Sequence, residues 1–580
     1  MLTTTLPTAL SLALALQTNG PARLTLATPK DIVADSQRTA RSARSAQSAF
    51  ERTRRHNLPI TPGASGGRCD VRVGRFCYWW DEGEWEGPPE PPKIKAARSA
   101  LLDRLAAAAA RLPGDGWIVG QRVRYLVEDG RAADAVGVAR ACQATAAWCA
   151  SLAGFALHAA MDFAAADSAF DAATAGMPDA ERCRWTDISL LLDGDAHSRY
   201  DKLSCANRAS FEQRFWALAR PLHLLAANDL RTEHFARLTM AELIRTSRYA
   251  HDMSWGDDTR ELMLRYGWER HWSREAPSVY SGPSVHVIGH EPTPAYAFVP
   301  HADVLTDPAS AEPSDWELRD PLARSRYAPS YARSMTALDH QVAFFRRGDS
   351  ALVVAAFDVR HDTTFKRDSV AGALGVAPVT APESVMVART GPSGRWQALT
   401  ITSRWEPMLV SVEARDSTER RVARARSVTR PPVTRDSSRV TVSDLLLFDD
   451  PTKLPATLDD ALARARGTMR VEQDKPVGVY WEMYGVAPTG ETLAYTLTVT
   501  RASTPWLRRT AEKLGVVDRR APVRMKWDEP SGRHDATRAR ALAVDFSTLP
   551  EGRYRIDLSL EAEGQQPVVA SRLVEVIERR

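Results

Sequence analysis

Apolar residues recur at three-to-four spacing through the first half of this chain and largely at alternate positions through the second. Over 580 residues that change of period calls for several cores, because single cores stop growing well below this length. The expected fold is therefore multidomain α plus β, helical first and β-sandwich later. Hydrophobic residues make up 44% and charged residues 26%, ordinary globular usage that argues against wholesale disorder or a membrane-spanning bundle. Lys and Arg number 76 against 72 Asp and Glu; the resulting net charge of +4 is too small to imply a nucleic-acid partner.

The opening segment MLTTTLPTALSLALALQTNG carries an apolar run suited to a signal-peptide core and too short for a bilayer. Residues 1–20 are read as a signal peptide, with Ala13-Leu14-Ala15 as a small-x-small cleavage site, although no Lys or Arg precedes the run. The alternative is a buried apolar helix. Export to the periplasm, the cell envelope or the medium is expected. All six cysteines lie between Cys69 and Cys205, and their grouping as Cys69/Cys77, Cys142/Cys149 and Cys183/Cys205 suggests three local bridges. Six cysteines allow 15 complete pairings, and buried free thiols are the other reading. Residues 21–67, poor in large apolar side chains and rich in Ala, Ser and Arg, read as a disordered basic tether. Its Arg38, Arg41 and Arg44 offer contact to anionic lipid or cell-wall polymer, or are simply solvated.

Residues 68–204 form the expected helical domain, beginning after EGPPEPP with the amphipathic KIKAARSALLDRLAAAAARL. Gly154, Phe163, Ala166, Phe170, Ala173 and Pro178 resemble the packing positions of a tetratricopeptide repeat. Gly130, Ala135, Ala139 and Cys142 repeat the pattern more weakly. Such repeats imply a concave face for peptide segments, or a brace for the next domain.

In residues 205–325, the segment SWGDDTRELMLRYG is read as a polar turn entering a strand, with Leu262, Leu264 and Tyr266 alternating. Trp255, Asp258, Arg265, Tyr266 and Gly267 resemble the motif of the GWxTD domain, a module of exported bacterial proteins without an established biochemical activity. Ser254 and Asp257 depart from the family's Gly and Thr, as do Thr259, Arg260 and Glu261 from its Arg-Gly-Arg. The likeness implies β-sandwich modules downstream, with an SDL strand, here Ser443, Asp444 and Leu445, and a Tyr-Glu-x-Tyr strand, here Tyr480, Glu482 and Tyr484. These residues are assigned to structure rather than to binding. SALVVAAFDV, RWQALTIT, LAYTLTVT and YRIDLSLEAE read as strands in their own right. Two antiparallel sandwich modules are expected, residues 326–452 and an immunoglobulin-like 453–580, separated by a short helix after Pro451.

The most catalytic-looking cluster is SVHVIGHEPTP, in which His286 and His290 share a strand face, with Glu291 and His301 nearby. Its spacing is not the helical metalloprotease motif, and Pro292 and Pro294 prevent a helix. A metal-assisted hydrolase using His286, His290 and His301 is the alternative function. Asp257/Asp258 and Asp449/Asp450 are adjacent pairs, better suited to caps than to acid–base work. Trp79, Trp80 and Trp85 gather beside acidic residues as a sugar or peptide platform or as core. Arg424 and Arg426, on one strand face, offer phosphate or acidic polysaccharide a contact, or protect an edge. No catalytic residue, cofactor or metal ligand is assigned. The expected function is a non-catalytic envelope scaffold or interaction protein, binding protein or cell-wall partners through helical repeats and sandwich surfaces.

Overall fold

The computed structural model describes residues 29–61, 69–80, 87–275, 286–291, 293–366, 369–431, 440–486, 492–502, 523–530 and 537–578. The expected signal peptide and Trp85 lie outside them. The helices are α1 (Pro29–Asn57), α2 (Pro92–Arg111), α3 (Gly116–Glu128), α4 (Ala132–Arg140), α5 (Ala146–Ala159), α6 (Phe163–Ala175), α7 (Asp179–Thr186), α8 (Gly194–Asp201), α9 (Cys205–Ala219), α10 (Asp229–Arg245), α11 (Asp257–Tyr266), α12 (Ala302–Thr306) and α13 (Leu458–Leu462). No helix among the described residues is long and apolar enough to cross a membrane.

The expected tether is corrected: α1 occupies most of it. Ala43, Ala46, Gln47, Phe50, Glu51 and Arg54 are buried at helical spacing. Small alanines allow close approach, and the polar members find partners across the core: Gln47 Nε2 donates to Tyr125 Oη at 2.8 Å, and Tyr125 Oη donates to Glu51 at 2.6 Å. α2 buries Ile94, Leu101, Leu102, Leu105 and Ala108 on one stripe, and Asp115 caps α3 by accepting from Trp117 and Ile118 N–H. One apolar core joins α1 to α6 with α10 and α11, so it crosses the expected boundary at residue 205. A second core gathers Tyr200, Phe215, Trp216, Tyr296, Tyr327 and Tyr331. Three disulfides, Cys69–Cys77, Cys142–Cys149 and Cys183–Cys205, lie in this half and fit an exported protein.

The strand expected at 262–266 is corrected to α11. Thr259, Met263 and Leu264 are buried at helical spacing, Asp257 and Asp258 suit the positive helix start, and Gly267, at φ +86°, ends the helix.

The strands are β1 (Ile60–Thr61), β2 (Val71–Val73), β3 (Phe76–Tyr78), β4 (His271–Glu275), β5 (Val287–His290), β6 (Ser334–Ala337), β7 (His340–Arg347), β8 (Ser350–Asp358), β9 (Val370–Pro378), β10 (Met386–Arg389), β11 (Trp396–Arg404), β12 (Met408–Asp416), β13 (Arg421–Thr429), β14 (Thr441–Val442), β15 (Leu446–Phe448), β16 (Arg470–Glu472), β17 (Val477–Tyr484), β18 (Thr492–Arg501), β19 (Val523–Pro530), β20 (Thr537–Val544), β21 (Gly552–Ala562) and β22 (Val568–Ile577). Sheet β10-β9-β12-β13-β6 packs on β11-β8-β7, and sheet β14-β17-β15, extended by β20, packs on β16-β22-β21-β18-β19. Pairing is antiparallel except β6–β13 and β16–β22 in these sheets.

The two sandwiches also pack on each other. Phe344, Val353 and Phe357 face the first core while their neighbours Phe345, Val354 and Ala356 face Leu446, Phe448 and Tyr480. Leu445, Leu447, Val479 and Trp481 face the second. The result is four sheets in succession, with the middle two buried on both faces.

Candidate functional site

Asp258 and Tyr266 of α11 hold the β2–β3 hairpin against that helix. Asp258 accepts from Arg75 at Nε (2.6 Å) and Nη2 (2.8 Å) and from the N–H groups of Arg75 (3.1 Å) and Thr259 (2.8 Å). The Arg75 side-chain bonds, chief among these, hold its carboxyl well below the usual carboxylate range. Arg75 sits between β2 and β3, the strands that Cys69–Cys77 closes. Tyr266 stacks on Tyr78 at 3.8 Å between ring centres, and Arg265 donates to Arg324 O, Glu261 and Tyr266 Oη. Trp255 is half-buried against the helical core.

The SDL and Tyr-Glu-x-Tyr residues meet at the junction of the two sandwiches. Ser443 exchanges hydrogen bonds with the Glu482 backbone at 2.9 Å each, and Asp444 accepts from Phe344 N. Glu482 is buried, accepting from Arg347 Nη1 (2.6 Å) and Nη2 (3.0 Å), Tyr480 Oη (3.2 Å) and Tyr484 Oη (2.8 Å). This is a closed structural network.

The histidine cluster does not assemble. His290 Nε2 lies 2.7 Å from Ser273 Oγ, Glu291 pairs with Arg270 at 2.9 Å, and His301 lies near Asp315 and Asp320. Among the described residues no three His, Cys, Asp or Glu side chains converge as metal ligands. The Ser273–His290 pair resembles a nucleophile and base, but Ser273 is fully buried and bonded to Thr61. Arg424 and Arg426 are likewise corrected: both are buried against the turn after α9, donating to Pro221 O and Leu218 O, while Glu413 accepts from His223 and Leu224 N–H. Trp80 lies under the Arg326 guanidinium at 3.9 Å, and Arg44 covers Trp117 at 4.4 Å.

What the structure brings together instead is a cavity of about 450 Å³ in the helical half. Its walls come from the end of α1, the EGPPEPP turn and α2, the α3–α4 turn, the end of α5, residues 268–272, Tyr327 and Ser330. Gly87 permits the close seat of His271: a Cβ there would lie 2.6 Å from the imidazole Cγ. Behind one wall, the Arg54 guanidinium lies between the Phe50 and Trp272 rings, 4.6 Å from each centre, and bonds Glu128. Arg124 bonds Glu128 at 2.9 Å and lies 3.4 Å from Glu51. Burial raises the Glu51 carboxyl; at Glu128 burial acts the same way but Arg54 and Arg124 outweigh it, leaving that carboxyl lowered. Removing one member would strand a buried charge.

The floor is His158, whose Nε2 lies 2.7 Å from Glu233 and whose Nδ1 lies 2.9 Å from Thr232 Oγ1. Burial opposes the charge on Glu233, but Arg237 and His158 hold its carboxyl low. Asp229, buried and bonded by Tyr331 Oη at 2.9 Å, is pushed up by burial to about 6. Tyr327, 2% exposed, lines the same floor.

The sequence reading singled out Gly130 and the EGPPEPP turn, both in the wall, but assigned neither a site. Trp268 and Trp272 were assigned nothing, although two tryptophans in WERHW directly after Gly267 were a visible signal. Arg54, His158 and Tyr327 come from distant segments, and no local pattern joins them.

No family model and no curated protein matches the chain. Among solved structures, a crystal structure of red sea bream transglutaminase matches at 12% identity and a TM-score of 0.13, over 45% of this chain and 37% of that one. The match thus spans well under two thirds of that protein, and a likeness this slight carries no functional argument.

Proposed function

We propose that the protein is an exported, non-catalytic binding protein of the cell envelope, of scaffold or interaction type, whose helical half holds a ligand from a protein or cell-wall partner. The observation that carries this reading is the 450 Å³ cavity, whose aromatic walls are backed by a paired charge network. The three disulfides support export. The reading takes the segment around Trp255 as GWxTD-like and α3 to α6 as tetratricopeptide-like. Close seating of Gly154 against Phe170 is compatible with the latter.

The test is native mass spectrometry of the purified protein after incubation with envelope extract, beside an Ala159→Phe variant that fills the cavity from its wall. A bound mass or captured partner seen with the natural chain and lost in the variant is expected. Capture of nothing by either protein, or conversion of an extract component by the natural chain alone, would overturn the reading.

A further inference from the structure

The charges on the cavity wall are mostly spoken for. Arg98 is held by Glu90 through two bonds of 2.6 Å and by Asp129, Arg270 by Glu291, and Glu269 by His251 at 2.9 Å. Lys95, exposed one turn before Arg98 on α2, has no ion-pair or hydrogen-bond partner among the described residues, so the uncommitted charge at the cavity is positive and lies at its rim.

Deeper in, uncommitted hydrogen-bond donors are set on aromatic rings, beside Arg54, whose charge is paired with Glu51 and Glu128 but whose Nε and Nη1 have no hydrogen-bond partner among the described residues. Among the described residues the Tyr327 hydroxyl has no partner, although the residue is almost wholly buried, and neither do the indole N–H groups of Trp268 and Trp272. Burial holds the Tyr327 hydroxyl in its protonated, donating form. A purely apolar ligand would leave these donors unpaired in a desolvated site, so each would lose its water partners and gain none. A fully polar chain would leave the ring faces uncovered. A sugar ring satisfies both demands, with C–H faces for the indoles and hydroxyl oxygens for the donors, and the cationic rim adds a demand for negative charge.

We infer that the cavity binds an acidic saccharide of one or two rings, seated on Trp268 and Trp272 with Tyr327 donating to a ring substituent and its carboxylate at Lys95. This rests on the binding-protein reading above.

The probe is glucuronosyl-β-1,4-glucose, with cellobiose as its neutral counterpart, followed by tryptophan fluorescence of the full chain. Saturable change with the acidic disaccharide is expected, with cellobiose about tenfold weaker. Lys95→Gln, on an exposed position that the fold does not use, should bring the acidic disaccharide down to the affinity of cellobiose. Tyr327→Phe should weaken both sugars about tenfold, and Ala159→Phe should abolish both responses. Equal affinity for the two sugars, a preference that survives Lys95→Gln, or no saturable change with either overturns the inference. Should sugars fail while Ala159→Phe still blocks capture from envelope extract, only the saccharide assignment falls; if Ala159→Phe changes no capture, the cavity reading itself falls.

Discussion

His234 is buried on α10 with its ring against Trp216 and Phe235, and neither ring nitrogen has a hydrogen-bond partner among the described residues. Burial, aided by the nearby Arg237, holds its pKa down at about 3. Because the folded value lies below the unfolded one of about 6.5, the neutral ring's contribution is complete above that pH and is lost as pH falls toward 3. His234→Phe should therefore be at least as stable as the natural chain at neutral pH. By pH 4.5 the advantage should widen by about 2 kcal/mol. Urea unfolding midpoints at the two pH values check this, and parallel pH profiles for the two proteins would contradict it. At this scale a histidine behaves as a core residue because no group faces either ring nitrogen as a partner, which residue type alone does not reveal.

Between elements, small residues decide how closely helices seat. A Cβ at Gly154 in α5 would lie 2.7 Å from the Phe170 ring of α6, and Phe170 is itself buried and stacked on Phe235 at 5.4 Å. Gly137 in α4 faces open space. Gly154→Ala should cost about 1–2 kcal/mol, as overpacking exceeds the helix-propensity gain, whereas Gly137→Ala should stabilise by about 0.5–1 kcal/mol. Thermal midpoints of the two variants moving in opposite directions is the expected result. Gly154 and Phe170 were both singled out in the sequence, and their close approach is what the packing of α5 on α6 supplies. The α11 segment was misread because Leu262, Leu264 and Tyr266 alternate by coincidence, while Met263 and Leu264 side by side serve a helix that buries both. Helix α1 was missed for a different reason: its buried Gln47, Glu51 and Arg54 look like solvated polar residues until Tyr125, Arg124 and Glu128 are placed opposite.

For the molecule as a whole, the joint between the sandwiches depends on Glu482, which satisfies Arg347 and two tyrosine hydroxyls at once. Glu482→Ala should cost about 2–4 kcal/mol, below the most severe cases because the Arg347 side chain keeps 38% of its exposure. Calorimetry should show the β half losing cooperativity, its single transition splitting in two; a variant trace that overlays the natural one would refute the role given to Glu482. The sequence by itself determined the order of classes, helical then β, because periodicity is a local property of the chain. It also pointed to the three cysteine pairs, whose members are close in sequence. SALVVAAFDV was legible as a strand, but its cover on both faces comes from the second sandwich packed behind the first. Only the tertiary structure decided that the SDL and Tyr-Glu-x-Tyr strands meet, that Arg424 and Arg426 are buried, that the histidines stay apart, and that a cavity forms from α1, α2, α5, residues 268–272 and Tyr327. Those outcomes depend on contacts between residues tens to hundreds of positions apart, where chain connectivity places no constraint and packing and charge pairing choose the partner.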